Sequence, residues 1–180
     1  MRILGIDPGS RAMGYGIVEV EKSVLTPIVH GTLRPPTGAD LAIRLASLQE
    51  GLIKILEEYR PHAASVESAF VAMNPRSALV LGHARGVALA SIASHRIPLA
   101  EYSPTQVKAA VVGSGRAEKQ QVQQMVQILL KLDKVPGQDA ADALAAAICH
   151  AHGGKLAGVR SGRSRSRRGG GSGLVVRRMR

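Results

Sequence analysis

Residues 2–20 read RILGIDPGSRAMGYGIVEV, and the fold turns on this stretch. The segment RILGID (2–7) is short, largely apolar and stops at a turn set by Pro8 and Gly9, the pattern of a buried strand. Residues 15–20 make a second such run after Gly14. Two strands this close predict a β-hairpin whose first strand ends on an acid, Asp7.

Working outward, residues 26–33 predict a third strand closed by Pro35, Pro36 and Gly38. Leu41, Leu45, Leu48, Leu52, Ile55 and Tyr59 then recur at steps of three or four. That is one face of an amphipathic helix, with Asp40 as its N-cap and Pro61 as its stop. AASVES (63–68) predicts a fourth, buried strand, although it contains Glu67. A loop carrying Asn74 and Pro75 leads to a helix over about 77–95, and residues 97–102 predict a fifth strand. Ser103 and Pro104 form an N-cap and N1 pair opening a short helix through Val111. After the loop GSGRAE come helices over 118–132 and about 139–152. Three strands followed by helix and strand alternation predict an α/β fold, a five-stranded mixed sheet flanked by helices on both faces.

At 180 residues and 45% hydrophobic, the chain suits one folded domain that buries roughly 70% of its unfolded surface. Cys149 is the only cysteine, which excludes an intrachain disulfide framework and a multi-cysteine zinc site and suits a reducing cytoplasm. No signal-type apolar segment opens the sequence, and no stretch offers about 18 uncharged apolar residues, so a soluble, cytoplasmic protein with no membrane partner is expected. The formal charge of +11 points to an anionic partner. Nine basic and no acidic residues fall in 155–180, leaving 15 basic and 13 acidic in 1–154. We therefore expect a folded domain over 1–153 and a disordered, Gly/Ser/Arg-rich basic tail over 154–180.

Four acids sit where acids are costly. Asp7 ends the first strand, Glu67 lies in an apolar strand, and Asp139 and Asp142 are three apart on an alanine-rich helix, hence on one face. Each alone has an ordinary explanation, as a turn residue, a partner of a buried arginine, or acids at a helix N-terminus. If the two strands are adjacent and the last helix crosses their ends, the four converge. Like charges so close need a counter-ion, and hard divalent cations with oxygen ligands supply one. Two such ions about 4 Å apart suit phosphodiester cleavage.

GIDPGSRAMGYG at 5–16, VESAF at 66–70, SALVLGHARGVAL at 77–89, SPTQVKAAVVGSGRAEKQQVQQMV at 103–126 and DAADALAAAICH at 139–150 together resemble the RuvC family, the bacterial Holliday-junction resolvases. The resemblance implies a ribonuclease H-like fold, with metal-binding acids at Asp7, Glu67, Asp139 and Asp142, the third of which is His in some relatives. It further implies a homodimer that nicks opposed strands of a four-way junction symmetrically with Mg2+ or Mn2+ during recombination and DNA repair. The ends left are 5′-phosphate and 3′-hydroxyl, and the partners are the RuvA and RuvB branch-migration proteins. By the same pattern Phe70 contacts a base at the junction, and Lys108 and Lys119 neutralise charge near the scissile phosphate. Arg76, beside Phe70, can hold backbone phosphate, while Arg85 reads as structural. Ala78, Gly82, Gly86 and Ala90 at steps of four give the middle helix a small-residue surface for packing on either a second subunit or the sheet. A non-catalytic junction-binding protein, or another nuclease of the same fold, is the alternative reading.

Overall fold

The structure, a computed structural model, describes residues 1–68 and 74–153. Phe70 and the whole 154–180 segment lie outside the described residues. Five strands, β1 (Arg2–Asp7), β2 (Met13–Glu21), β3 (Val24–Leu33), β4 (Ala63–Glu67) and β5 (Leu99–Tyr102), form one sheet in the order β3-β2-β1-β4-β5. The hairpin pairs antiparallel in the register Arg2↔Glu19 to Asp7↔Gly14. This pairing carries β2 back to Met13, two residues before the expected start. The pairs β1·β4 and β4·β5 are parallel, so the sheet is mixed, as the alternation of elements predicts.

The helices are α1 (Leu41–Tyr59), α2 (Pro75–Ser94), α3 (Pro104–Val112), α4 (Lys119–Leu130) and α5 (Gln138–Gly153). They divide between the two faces. Leu48, Leu52, Ile55 and Leu56 of α1 and Ala88 and Ile92 of α2 pack on Leu4, Ile6, Ile17 and Val66. On the other face Val107 and Val111 of α3, Val122, Val126 and Leu130 of α4, and the alanine-rich side of α5 pack on Ile3 and Val18. Each fully buried aliphatic side chain in these layers contributes about 1.5–3 kcal/mol.

Three local expectations change. The helix α2 begins at Pro75 rather than Ser77, because the Asn74 side chain caps it by accepting from the Arg76 N–H at 2.8 Å; Asn-Pro is an N-cap and N1 pair, not loop. Asp40 occupies the N-cap position of α1, but its side chain makes no capping hydrogen bond. The strand β5 starts at Leu99, two residues later than expected. The predicted Ser103 cap is present, with Ser103 and Gln106 capping each other reciprocally, a capping box.

The helix α5 is the most enclosed element. Every residue from Ala143 to Cys149 is buried, as are Ala140 and Ala141, because the helix lies between the sheet and α3 and α4. The helix α2 is the opposite case. By length and composition it is the one described helix apolar enough to cross a membrane, yet Ala84, Ala88, Ser91 and Ile92 are buried against the protein. Its other side is open, with Leu79 66% exposed.

Candidate active site at the carboxyl ends of β1 and β4

Asp7 and Glu67 are the last residues of two parallel neighbouring strands whose register ends at Ile6↔Val66. Parallel pairing therefore puts both acids at the same end of the sheet. The helix α5 supplies the other two by lying on β1 and β2 at backbone contact distance. A Cβ on Gly5 would fall 1.8 Å from the Ala143 carbonyl oxygen, and one on Gly14 would fall 1.9 Å from that of Asp139. Only glycine at these two positions admits the helix. Sequence reading missed this role; the available signal is that glycines on the paired strands face an alanine-rich helix.

The electrostatics record the convergence. The Asp7 carboxyl is pushed up to about 7, first by burial and then by Asp142, Glu67 and Asp139, with Lys119 opposing. Glu67 is raised by burial and Asp142, against Lys119 and Lys108. Asp142 is raised chiefly by burial and further by Asp139, against Lys119 and Lys108. Thus the structure brings together Asp7, Glu67, Asp139, Asp142, Lys108 and Lys119. The Lys119 Nζ lies 3.8 Å from Asp142 Oδ2. Asp139 faces Arg34, whose Nη2 is 3.4 Å from its Oδ2; sequence reading did not single out Arg34, which follows β3 and is brought to α5 only by the sheet.

Among the described residues no three acids close around a single point as the ligands of a bound ion do. Mutual repulsion spreads carboxylates that share a site. Four hard oxygen donors gathered at one end of the sheet nevertheless form a donor set suited to Mg2+ or Mn2+, and burial together with neighbouring carboxylates raises the pKa values of Asp7, Glu67 and Asp142.

Arg85 is held away from the acid side chains. Its Nη1 donates to the Glu67 carbonyl oxygen at 2.7 Å and its Nη2 pairs with Glu101, which pins the end of β4 and fits the structural reading. Arg76 is exposed at the start of α2, on the α1 and α2 side of the sheet.

The family model described as crossover junction endodeoxyribonuclease RuvC matches residues 3–150. RuvC of Burkholderia vietnamiensis is 49% identical over 162 residues, covering 90% of this chain and 89% of the relative. RuvC of Ralstonia nicotianae is also 49% identical over 162 residues, covering 90% of each. Thermus thermophilus RuvC in complex with Holliday junction substrate superposes with a TM-score of 0.82 at 30% identity, over 87% of this chain and 96% of that one. These structural neighbours have the ribonuclease H-like fold, and the β3-β2-β1-β4-β5 sheet with helices on both faces is that fold here. A match spanning nearly the whole described domain, with sequence relatives near half identity, settles membership: the chain belongs to the RuvC family of crossover junction endodeoxyribonucleases.

Proposed function

We propose that this chain resolves Holliday junctions by paired symmetric nicks, using Asp7, Glu67, Asp139 and Asp142 to hold Mg2+, with Mn2+ as a substitute. The observation that carries the metal assignment is the gathering of four carboxylates at one partly buried end of the sheet, where burial first and neighbouring carboxylates second raise the pKa values of Asp7, Glu67 and Asp142, which makes a divalent cation the natural counter-ion. Asp7, Glu67, Asp139 and Asp142 would hold such ions, which would supply activation of a water for attack on phosphorus and stabilisation of the leaving 3′-oxygen, the chemistry that leaves 5′-phosphate and 3′-hydroxyl ends.

The chain's own groups do the positioning. Asp7 and Glu67 are fixed at the backbone by strand ends and Asp139 and Asp142 by a packed helix, so the closing-in that metal binding requires falls to the side chains alone. Lys119 and Lys108 approach the acids from α4 and α3 and offer ammonium groups to the non-bridging oxygens of the phosphate. Phe70 follows Glu67 by three residues and supplies a ring for stacking on an unpaired base, worth on the order of 1–3 kcal/mol.

A twofold dimer presents one acid cluster to each of two opposed strands, and the open side of α2 supports a second copy as its partner. Pro75, Ala78, Leu79, Gly82, His83 and Gly86 line a shallow apolar hollow there, and a Cβ at Gly82 or Gly86 would meet nothing within 4 Å. The RuvA and RuvB proteins are its partners on the same reading. The domain occupies 1–153, and the basic 154–180 tail adds phosphate contacts without entering the chemistry. The deciding experiment incubates end-labelled four-way junctions with Mg2+ or EDTA. Paired nicks at symmetric positions in Mg2+ alone are expected; binding without cleavage would return the chain to a non-catalytic junction binder, and cleavage of linear duplex or RNA to another nuclease activity.

A further inference from the structure

Lys108 and Lys119 stand on α3 and α4, on one side of the sheet. A second group of cations stands on the other. Ser10, Arg11, Arg44, Arg76 and Ser77 line a groove of 540 Å3, and an adjoining hollow of 360 Å3 shares Arg11 and Arg44 and follows residues 35–39. Among the described residues no carboxylate lines either space. The four salt bridges among the described residues involve none of these three arginines. The Arg44 Nε is buried and has no hydrogen-bond partner among the described residues. A buried, unpaired donor on a charged group is costly, and three guanidinium groups around an acid-free groove repel one another unless an anion enters. Guanidinium groups and serine hydroxyls match phosphate oxygens, the guanidinium in bidentate fashion.

The groove is tied to the acids by chain connectivity. Arg11 is four residues beyond Asp7, so their Cα atoms are at most about 14 Å apart. A strand advancing 3.4 Å per nucleotide covers that distance in about four nucleotides.

We propose that the Ser10, Arg11, Arg44, Arg76 and Ser77 groove is a second backbone-phosphate subsite, which holds the DNA strand on the side of the acids opposite Lys108 and Lys119. The proposal rests on the junction-endonuclease reading and adds to it Arg11 and Arg44 as binding residues and a direction for the strand across the sheet. The cleaved strand runs from the α3 and α4 side, over the acids, to the α1 and α2 side.

The test is equilibrium binding of a fluorescent four-way junction in EDTA over a range of salt concentrations, for full-length wild type, Arg11→Gln, Arg44→Gln, Arg44→Lys and Arg76→Gln. Each glutamine variant is expected to weaken binding several-fold and to make the log K against log salt slope shallower by about 1. Arg44→Lys keeps the slope but binds less tightly than wild type. Neutral methylphosphonates placed one at a time along the strand locate the contact, since Arg44→Gln loses nothing further where its phosphate is already neutral. Arg11 and Arg76 are exposed, so their variants report on the groove even if Arg44→Gln fails to fold. Wild-type slopes and affinities in Arg11→Gln and Arg76→Gln would overturn the proposal. If instead the variants weaken binding but wild type makes no nicks in Mg2+, the endonuclease reading fails and the subsite stands.

Discussion

The ammonium of Lys119 at the start of α4 stands 3.8 Å from a carboxylate oxygen of Asp142 on α5 and lowers the pKa of Asp7, Glu67 and Asp142 alike. One cation thus offsets part of the repulsion among three acids. Replacing it with methionine removes that offset, so the acids deprotonate at higher pH. For Lys119→Met the acid limb of the cleavage-rate profile is expected to shift to higher pH, with a lower plateau, while Lys119→Arg recovers most of both. A profile with an unmoved acid limb would separate Lys119 from the acids.

Asp7→Asn removes a hard anionic donor without changing shape. Junction cleavage is expected to fall by on the order of 10³-fold or more, with junction binding in EDTA retained. Comparable cleavage rates in gel assays of the variant and wild type would sink the metal assignment.

The same residue makes the metal-free protein pH-sensitive. Asp7 titrates at about 7 in the fold against an ordinary value of 3.8, so between about pH 4 and 7 the folded state keeps a proton that the unfolded chain has lost. Stability therefore falls as pH rises through that window and is level above it, by on the order of 2–4 kcal/mol for this group. Urea unfolding in EDTA should show wild type less stable at pH 8 than at pH 5, a difference reduced in Asp7→Asn and by added Mg2+.

Gly14→Ala places a methyl group against the Asp139 carbonyl, where a Cβ would lie at 1.9 Å. Backbone cannot yield as a flexible side chain does, so α5 must lift. We expect a loss of at least 1–3 kcal/mol in chemical denaturation, together with impaired cleavage, because Asp139 and Asp142 move with the helix. Wild-type stability would show that the helix accommodates the methyl.

For α2 the two effects have opposite signs. Gly82 sits in a helix with open space around it, so Gly82→Ala should stabilise an isolated subunit by about 0.5–1 kcal/mol. The bulkier Gly82→Leu, or Leu79→Glu, should block close approach of a second helix. Analytical ultracentrifugation is expected to find wild type dimeric and these two variants monomeric; unchanged sedimentation would place the interface elsewhere.

Much of the site is legible in the sequence. Asp7 and Glu67 stood out because an acid in or at the end of an apolar strand has no cheap reason to be there, and Asp139 and Asp142 because three-residue spacing shares a helix face. Arg34, Arg11 and Arg44 were not legible. Each lies on a loop or a helix face where a solvated arginine is unremarkable, and only the pairing of distant segments gives it neighbours. In sequence Gly14 reads only as a strand boundary and Gly5 as one more strand residue, whereas both make room for a helix more than a hundred residues away. Capping chemistry is readable at Ser103 but not at Asn74, where an Asn-Pro pair reads equally well as loop and only the hydrogen bond from the Arg76 N–H makes it a cap.

The enclosure of α5 bears on where the protein can yield. A helix covered on all sides opens only when the whole domain does, so the amides of Ala143 to Cys149 belong to the slowest-exchanging class. The helix backbone that carries Asp139 and Asp142 therefore does not migrate toward a poorly placed phosphate. Geometric misfit between protein and substrate must be absorbed by the nucleic acid and by the outer cations, and a strand that cannot deform into register stays uncut although it is bound.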